Sequence, residues 1–400
     1  MSLSISDEGP AHRTRILTFV HYYLPAYKSG GPVRTISNLV ERLGDEFEFR
    51  IVTTDRDALD DRPFPGVTLD EWTRVGKASV FYASRSGRRW LRIAHLINST
   101  PHDVLYLNSY FSPVSTLGPL ILRRLCLAPR KPLLLAPRGE FSLGALSLKS
   151  VKKRLYLRLA EALGLYRDAI WQASSRHEAA DIARAMGVPA ERIRVAPNLT
   201  ALEAEPNTIP NRGVGDALRI VYLSRVSPVK NLVYALDVLA GVSSPVVLDI
   251  YGQIGDQQYW QRCQLLVEAL PSDVRVNYRG PVPHEQVASI ISKYDLFFLP
   301  TRGENYGHAI IEALAAGVPV LISNQTPWID LQPAGVGWSL PLDDPRAFLE
   351  VIESQARITV DERRAQRLRA MEYAHAVSQD KVNVAKNRAL FMEAAEMGKP

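Results

Sequence analysis

Two glutamates, Glu304 and Glu312, are separated by seven residues in the segment LPTRGENYGHAIIEALAAGVPVLIS, residues 299–323. An apolar run ends at Pro300, and a short loop carries Glu304, Asn305, Tyr306 and Gly307. Helical spacing then runs from His308 to Gly317, with Pro319 just beyond as a stop signal. A helix that starts at His308 turns free backbone N–H groups and partial positive charge toward the loop, a setting that suits a diphosphate. Gly307 allows a ligand to come close to that backbone. Glu304 precedes the helix and Glu312 lies little more than one turn inside it. One carboxylate can therefore accept hydrogen bonds from a sugar and the other from a ribose.

Three further segments carry candidate chemistry. In YLSRVSPVKNL, residues 222–232, Arg225 and Lys230 fall between a strand and a helix. Two fixed cations there can neutralise a diphosphate leaving group. In LPAYKSGGPVRTISNLVERL, residues 24–43, Gly30 and Gly31 precede a helix and can bring backbone N–H groups to a phosphate. Arg34, just inside that helix, faces either a cleft or solvent. In APRGEF, residues 136–141, Arg138 and Glu140 follow a strand, where they can bind phosphate, orient a second substrate or form a structural ion pair.

Positioning these groups requires a particular alternation of elements. Apolar, β-branched runs at 15–20, 49–54, 78–82, 103–107, 132–136, 169–173 and 192–196 read as strands, with helical patterns between several of them, as at 32–43 and 150–163. A stretch rich in Pro, Gly and Asn at 198–217 reads as a linker. A second series follows at 218–223, 245–251, 274–278, 295–300 and 318–323. Continuous apolar strands alternating with helices predict parallel sheets covered on both faces, and two such units place a ligand in the cleft between them. The tail from residue 345 onward reads as helical and highly charged.

The run ENYGHAIIEALAAGVPV resembles the donor-site motif of glycosyltransferase family 4, retaining enzymes of the GT-B fold. The resemblance covers nearly the whole chain and is sharpest over residues 222–323. It implies an α/β, GT-B architecture of two Rossmann-like αβα domains facing a central cleft. Residues 1–200 would form the acceptor-binding domain and 201–375 the nucleotide-sugar-binding domain, with a C-terminal helix at 376–400 expected to pack back on the first. It implies that Glu304 holds hydroxyls of the donor sugar and Glu312 the ribose, that Asn305, Tyr306 and Gly307 lend backbone groups, and that the helix end at His308 meets the diphosphate. Arg225 and Lys230 are similar to the family's Arg–Lys pair, Gly30 and Gly31 to its N-terminal glycine loop, and the backbone near Val282 would lie by the nucleobase. Many members carry a histidine where Arg138 stands. An arginine cannot accept a proton at neutral pH, so no general base is assigned. The expected co-substrate is a nucleotide-diphosphate sugar, with no metal or other cofactor, and the expected acceptor is a carbohydrate or a lipid-linked glycan. Cell-surface polysaccharide or lipopolysaccharide biosynthesis is the expected setting.

Composition is compatible with this reading. The hydrophobic fraction of 46% and charged fraction of 22% are ordinary for a globular chain, and 400 residues suffice for two or three domains. No apolar run is long enough for a membrane span, and the polar N-terminus lacks a signal core, so a cytoplasmic protein is expected. The net charge of +6 favours anionic partners. Without zinc-finger spacing or a basic low-complexity tail, nucleic acid is not among those expected. Lys149, Lys152, Lys153, Arg154 and Arg158 interleave with Leu148, Val151, Leu155 and Leu159 at helical spacing, giving a basic amphipathic helix that could rest on the inner face of a membrane. Cys126 and Cys263 read as buried helix residues, and His21, His95, His177 and His284 show no metal-ligand spacing. Asp55 and Asp57 form an Asp-x-Asp that could hold a cation in a single-sheet transferase, but that reading leaves the second unit unexplained, and they are taken as loop acids. No Gly-x-Gly-x-x-Gly follows a strand, which argues against a dehydrogenase. The runner-up is a nucleotide-sugar epimerase of the same fold, and a non-catalytic sugar-binding module comes third.

Overall fold

A computed structural model of the chain describes residues 13–85, 89–142, 150–200 and 216–398. Most of the linker at 198–217, the polar N-terminus through residue 12, and Leu148 and Lys149 lie outside these residues, as do the side chains of residues 151–154. In chain order the first lobe holds β1 (Arg15–Phe19), α1 (Gly31–Leu43), β2 (Glu48–Thr54), β3 (Trp72–Val75), β4 (Ala78–Ala83), α2 (Arg89–Ser99), β5 (Val104–Asn108), α3 (Gly118–Arg124), β6 (Leu133–Ala136), α4 (Ser150–Ala162), β7 (Ala169–Ala173), α5 (Arg176–Met186) and β8 (Ile193–Val195). The second holds β9 (Leu218–Leu223), α6 (Leu232–Leu239), β10 (Val246–Tyr251), α7 (Gln257–Glu268), β11 (Val274–Gly280), α8 (His284–Ile291), β12 (Leu296–Leu299), α9 (His308–Ala315), β13 (Val320–Ser323), β14 (Gly337–Leu340), α10 (Pro345–Arg357), α11 (Val360–Ser378) and α12 (Lys381–Glu396).

The strands form two sheets, ordered β3-β4-β2-β1-β5-β6-β7-β8 and β11-β10-β9-β12-β13-β14. All pairs are parallel except β3 with β4. Central strands such as β5, β7, β12 and β13 are buried at every position, as expected for sheets covered on both faces. In the first order β1 is flanked by β2 and β5, and in the second β9 is flanked by β10 and β12. The strand order reverses at these points, and the loops after β1 and β9 open into the crevice there. Those loops carry Gly30–Gly31 and Arg225–Lys230.

Two strands escaped the sequence reading. β3 is a half-exposed antiparallel edge strand, and β14 is a short edge strand with only Gly337 buried, so neither shows a continuous apolar run. Cys126 corrects another expectation, since it is exposed, past the end of α3, with a left-handed φ of 58°. Cys263 is buried in α7.

The charged tail folds as three helices, and the last crosses to the first lobe. Phe391 of α12 packs its ring 5.5, 5.8 and 5.3 Å from those of Phe47, Phe49 and Tyr106. Asn387 donates to the Pro197 carbonyl at 2.8 Å and accepts from Gln172. Ion pairs Arg388–Glu46 and Arg194–Glu393 flank this apolar contact.

Candidate active site

The crevice between the sheets is a cavity of about 1240 Å³. Its floor is built by two loops of the second lobe that are stitched together. Thr301 Oγ1 donates to the Val229 carbonyl at 3.1 Å and the Arg302 N–H donates to the same carbonyl at 2.7 Å, while Ser323 Oγ donates to Thr301 O. Asn231, left-handed at φ 61° and buried, donates to the Pro300 carbonyl at 3.0 Å. Tyr222 OH holds the Lys230 carbonyl at 3.0 Å. These bonds fix Lys230 beside Glu304, and the two side chains form an ion pair. Arg225 lies exposed at the mouth, its stem packed against Gly255, where a Cβ would stand 2.9 Å from the arginine Cδ.

Opposite stands the N-terminus of α1, capped by Gly30 at φ 65°. Asp57 fixes the approach to this turn by accepting the N–H groups of Tyr27 and Lys28 at 2.7 and 3.0 Å. Asp55 pairs with Arg56. The two lobes touch here. Thr35 Oγ1 meets His308 Nε2 at 3.0 Å, and Arg34 Nε lies 3.5 Å from Glu312 Oε1, so Arg34 faces the cleft. Burial, reinforced by Arg34 and Arg138, pulls the His308 pKa down to about 3, leaving a neutral imidazole. Burial pushes Glu312 up to about 7, against the opposing pull of Arg34, and lowers Arg34 itself to about 10. His284 Nδ1 is a second neighbour of Glu312, at 3.8 Å.

The cavity is lined by Gly30, Gly31, Arg138, Glu140, Arg225, Lys230, Val282, Glu304, Asn305, His308 and Glu312. Tyr306 and Gly307 stand behind this wall. The Tyr306 ring packs 4.8 Å from His308 and 5.5 Å from Trp328, and its carbonyl accepts from Trp328 Nε1. Its side chain also borders a small crevice formed with Arg42, Ser378 and Asp380, near the chain crossings. Gly307 caps α9 at φ 81°, and a Cβ there would meet Ile310 Cδ1 at 2.7 Å. Both shape the helix end without lining the cavity.

Arg138 and Glu140 are held by their own lobe. The Arg138 guanidinium donates to Asn108 Oδ1 at 3.0 and 2.8 Å, to Asn198 Oδ1 at 2.7 Å and to Tyr106 OH, which occupies most of its donors. The Glu140 carboxylate accepts from Ser109 Oγ at 2.8 Å and from the N–H groups of Tyr110 and Phe111. These partners brace both residues in the cleft wall, where both also line the cavity.

Glu178 was missed. Its buried carboxylate accepts from the Gly139 N–H and from the N–H and hydroxyl of Ser174, and Ser174 Oγ also lies 3.0 Å from the side-chain amide of Asn305. The only signal was the Ser175-x-x-Glu178 start of α5, which reads as a capping box. Ser175 does cap the helix, accepting the Glu178 N–H at 3.1 Å, but the carboxylate turns to the cleft wall.

Two parallel-sheet lobes that grip one crevice through their loops define the GT-B class, and sequence comparison agrees. The family model for glycosyl transferases group 1 matches residues 208–368, and that for the glycosyl transferase 4-like domain matches residues 30–199. The chain belongs to the family-4 type of glycosyltransferases. A Salmonella typhimurium protein named as a colanic acid biosynthesis glycosyltransferase, WcaL, is 27% identical over 217 residues, 52% of each chain. O-antigen chain mannosyltransferase B of Escherichia coli is 29% identical over 164 residues, 36% of this chain and 41% of that one. The chain thus spans about half the length, or less, of the curated relatives it matches. Among solved structures, Anabaena Alr3699/HepE in complex with UDP and glucose superposes with a TM-score of 0.68 at 17% identity, covering 96% of this chain and 100% of that one. WaaG, a glycosyltransferase involved in lipopolysaccharide biosynthesis, gives 0.64 at 16% identity, covering 96% and 99%.

Proposed function

We propose that this chain moves a hexose-type sugar from a nucleotide-diphosphate sugar to a carbohydrate or lipid-linked glycan, with the anomeric configuration retained, in the building of a cell-surface polysaccharide or lipopolysaccharide. One observation carries the reading: Lys230, Glu304, Glu312 and the start of α9 converge on one cavity, facing Gly30–Gly31 across it. The solved neighbour with UDP and glucose, and relatives named for O-antigen and colanic acid assembly, support the same ligand and setting.

In this reading the second lobe, 201–375, binds the donor. The first lobe, 1–200, presents the acceptor, and the helix within 376–400 straps the lobes together. The diphosphate lies against the N–H groups of α9, with Arg225 and Lys230 at its flanks. Glu304 turns from Lys230 to the sugar hydroxyls, Glu312 turns from Arg34 to the ribose, and the backbone at Val282 meets the base. The bond from the anomeric carbon to phosphate oxygen breaks as an acceptor hydroxyl attacks from the same face. The hydroxyl proton passes to an oxygen of the departing diphosphate. Arg225, Lys230 and the helix end stabilise the charge growing there, most strongly in the transition state. Two fixed cations fill the role a divalent ion takes in other transferases, so the reading requires no metal.

The test is a panel of nucleotide sugars incubated with candidate glycan acceptors, with and without a chelator, and with product configuration read by nuclear magnetic resonance. Retained-configuration glycoside formed at equal rates with chelator present is expected. Inverted product or an epimerised nucleotide sugar would overturn the reading, and loss of rate on chelation would overturn its metal-independent part.

A further inference from the structure

We propose that the ring of Tyr251 is a stacking platform for the nucleobase of the donor. The proposal rests on the reading that the second lobe binds a nucleotide sugar, and it adds the side chain that grips the base. Tyr251 is the last residue of β10, and its register partner on β11 is Gly280, two residues before Val282. It lines the cavity beside Pro281, Val282 and Pro283. Among the described residues of the second lobe it is the only Phe, Tyr or Trp that lines the cavity. This slot adjoins the proposed ribose site, because His284, next after Pro283, has its Nδ1 3.8 Å from Glu312 Oε1.

A buried relay anchors the ring at its far end. Asp249, two residues earlier on the same face of β10, is 3% exposed. It accepts from Tyr294 OH at 2.6 Å, Asn277 Nδ2 at 2.8 Å and Arg279 Nε at 3.2 Å. Burial works against its charge, but these bonds outweigh it and hold the carboxyl below its ordinary range. Tyr294 spends its one hydroxyl proton on that carboxylate, so its oxygen can only accept, and Tyr251 OH donates to it at 3.0 Å. Tyr294 is sealed in the core, whereas Tyr251 is half-buried and keeps part of its surface toward the cavity. The backbone beyond the ring is fixed as well. The Gly252 carbonyl accepts from Tyr278 OH at 2.9 Å, and the Gly252 N–H donates to the Gly280 carbonyl at 2.9 Å. A ring held at both ends loses little freedom when a ligand lies on it. With its hydroxyl proton turned inward, the ring offers the cavity a π surface. The side chains of Pro281, Val282 and Pro283 supply no hydrogen bonds, which suits a flat base and not the hydroxyls of a sugar. Every base has a π face, so such a platform grips them alike and leaves the choice among them to other groups.

The experiment is calorimetric titration of the full chain with UDP, GDP, ADP, CDP and dTDP, and with inorganic pyrophosphate as the probe that lacks a base. Tyr251→Ala should weaken every nucleotide that the wild type binds by at least about tenfold and by similar factors, with pyrophosphate affinity unchanged. Tyr251→Phe keeps the ring and should stay within about threefold of the wild type. Tyr251→Leu fills the same space without a π surface and should fall with Tyr251→Ala. It carries the test if circular dichroism shows that the alanine variant does not fold. Wild-type nucleotide affinity in folded Tyr251→Leu would make the residue a filler and overturn the proposal. An equal loss for nucleotides and pyrophosphate would overturn it too, since the ring would then be a prop of the diphosphate site. A wild type that binds no nucleotide would instead overturn the donor-site reading, and the platform with it.

Discussion

The cleft neutralises its own charges. Glu304 is paired with Lys230, and Glu312 with Arg34, so each acid proposed to hold a sugar already has a cation from which a donor must part it. Removing Lys230 therefore deletes a phosphate ligand and leaves Glu304 without its counter-charge. Lys230→Ala, Glu304→Ala and Arg225→Ala should each reduce kcat/KM by at least about 100-fold while the folded spectrum is kept. Steady-state kinetics with circular dichroism checks this, and near-normal turnover in any two contradicts the site assignment. Glu312 gives a pH signature. Its carboxyl, raised to about 7, is protonated and a poor acceptor at pH 6 but ionised at pH 8. Nucleoside diphosphate affinity should therefore rise across that interval, and on the order of tenfold more steeply in the wild type than in Glu312→Gln, a comparison that cancels the titration of the phosphate. Calorimetric titration at both pH values measures it. The donor-side residues were legible because strand ends, glycines and charges in βα loops carry their meaning locally. The partners of Arg138 were not, because Asn108 and Asn198 come from distant loops that only the fold brings together.

At the scale of elements, the start of α9 is the feature on which the donor site turns. Gly307 adopts φ 81°, and an added methyl would stand 2.7 Å from Ile310 Cδ1. Gly307→Ala should destabilise the second lobe by about 2 kcal/mol and lower its thermal midpoint, with donor affinity falling as the helix end shifts. An unchanged midpoint and affinity would show that the turn tolerates a side chain. Long buried strands were readable to within a residue or two because continuous apolar runs admit few alternatives. The edge strands β3 and β14 were not, since half-exposed strands lack that pattern. In the site, the motif gave Tyr306 a role only through its backbone, and the packing of its ring between His308 and Trp328 was not readable.

The molecule as a whole is two lobes joined by a strap and touching across the cleft. Thr35 with His308, Arg34 with Glu312 and Ser174 with Asn305 are contacts between lobes. The strap is anchored where Phe391 of α12 enters the aromatic core of the first lobe. Phe391→Ala should cost about 3–5 kcal/mol, read as a lower unfolding midpoint of the first lobe by calorimetry. A midpoint within a degree of the wild type would mean that the helix is not anchored there. The crossing was expected of the tail at 376–400, but its own residues showed only a charged helix, because the few buried ones (Asn387, Leu390, Phe391 and Ala394) are diluted among charges. The most direct test of the central claim is a crystal structure with an intact nucleotide-diphosphate sugar. The diphosphate should lie at the start of α9, within hydrogen-bonding reach of Arg225 and Lys230, with Glu304 on the sugar and Glu312 on the ribose. A nucleotide bound outside the cleft, or inside it with both glutamates still paired to Lys230 and Arg34, would contradict the account.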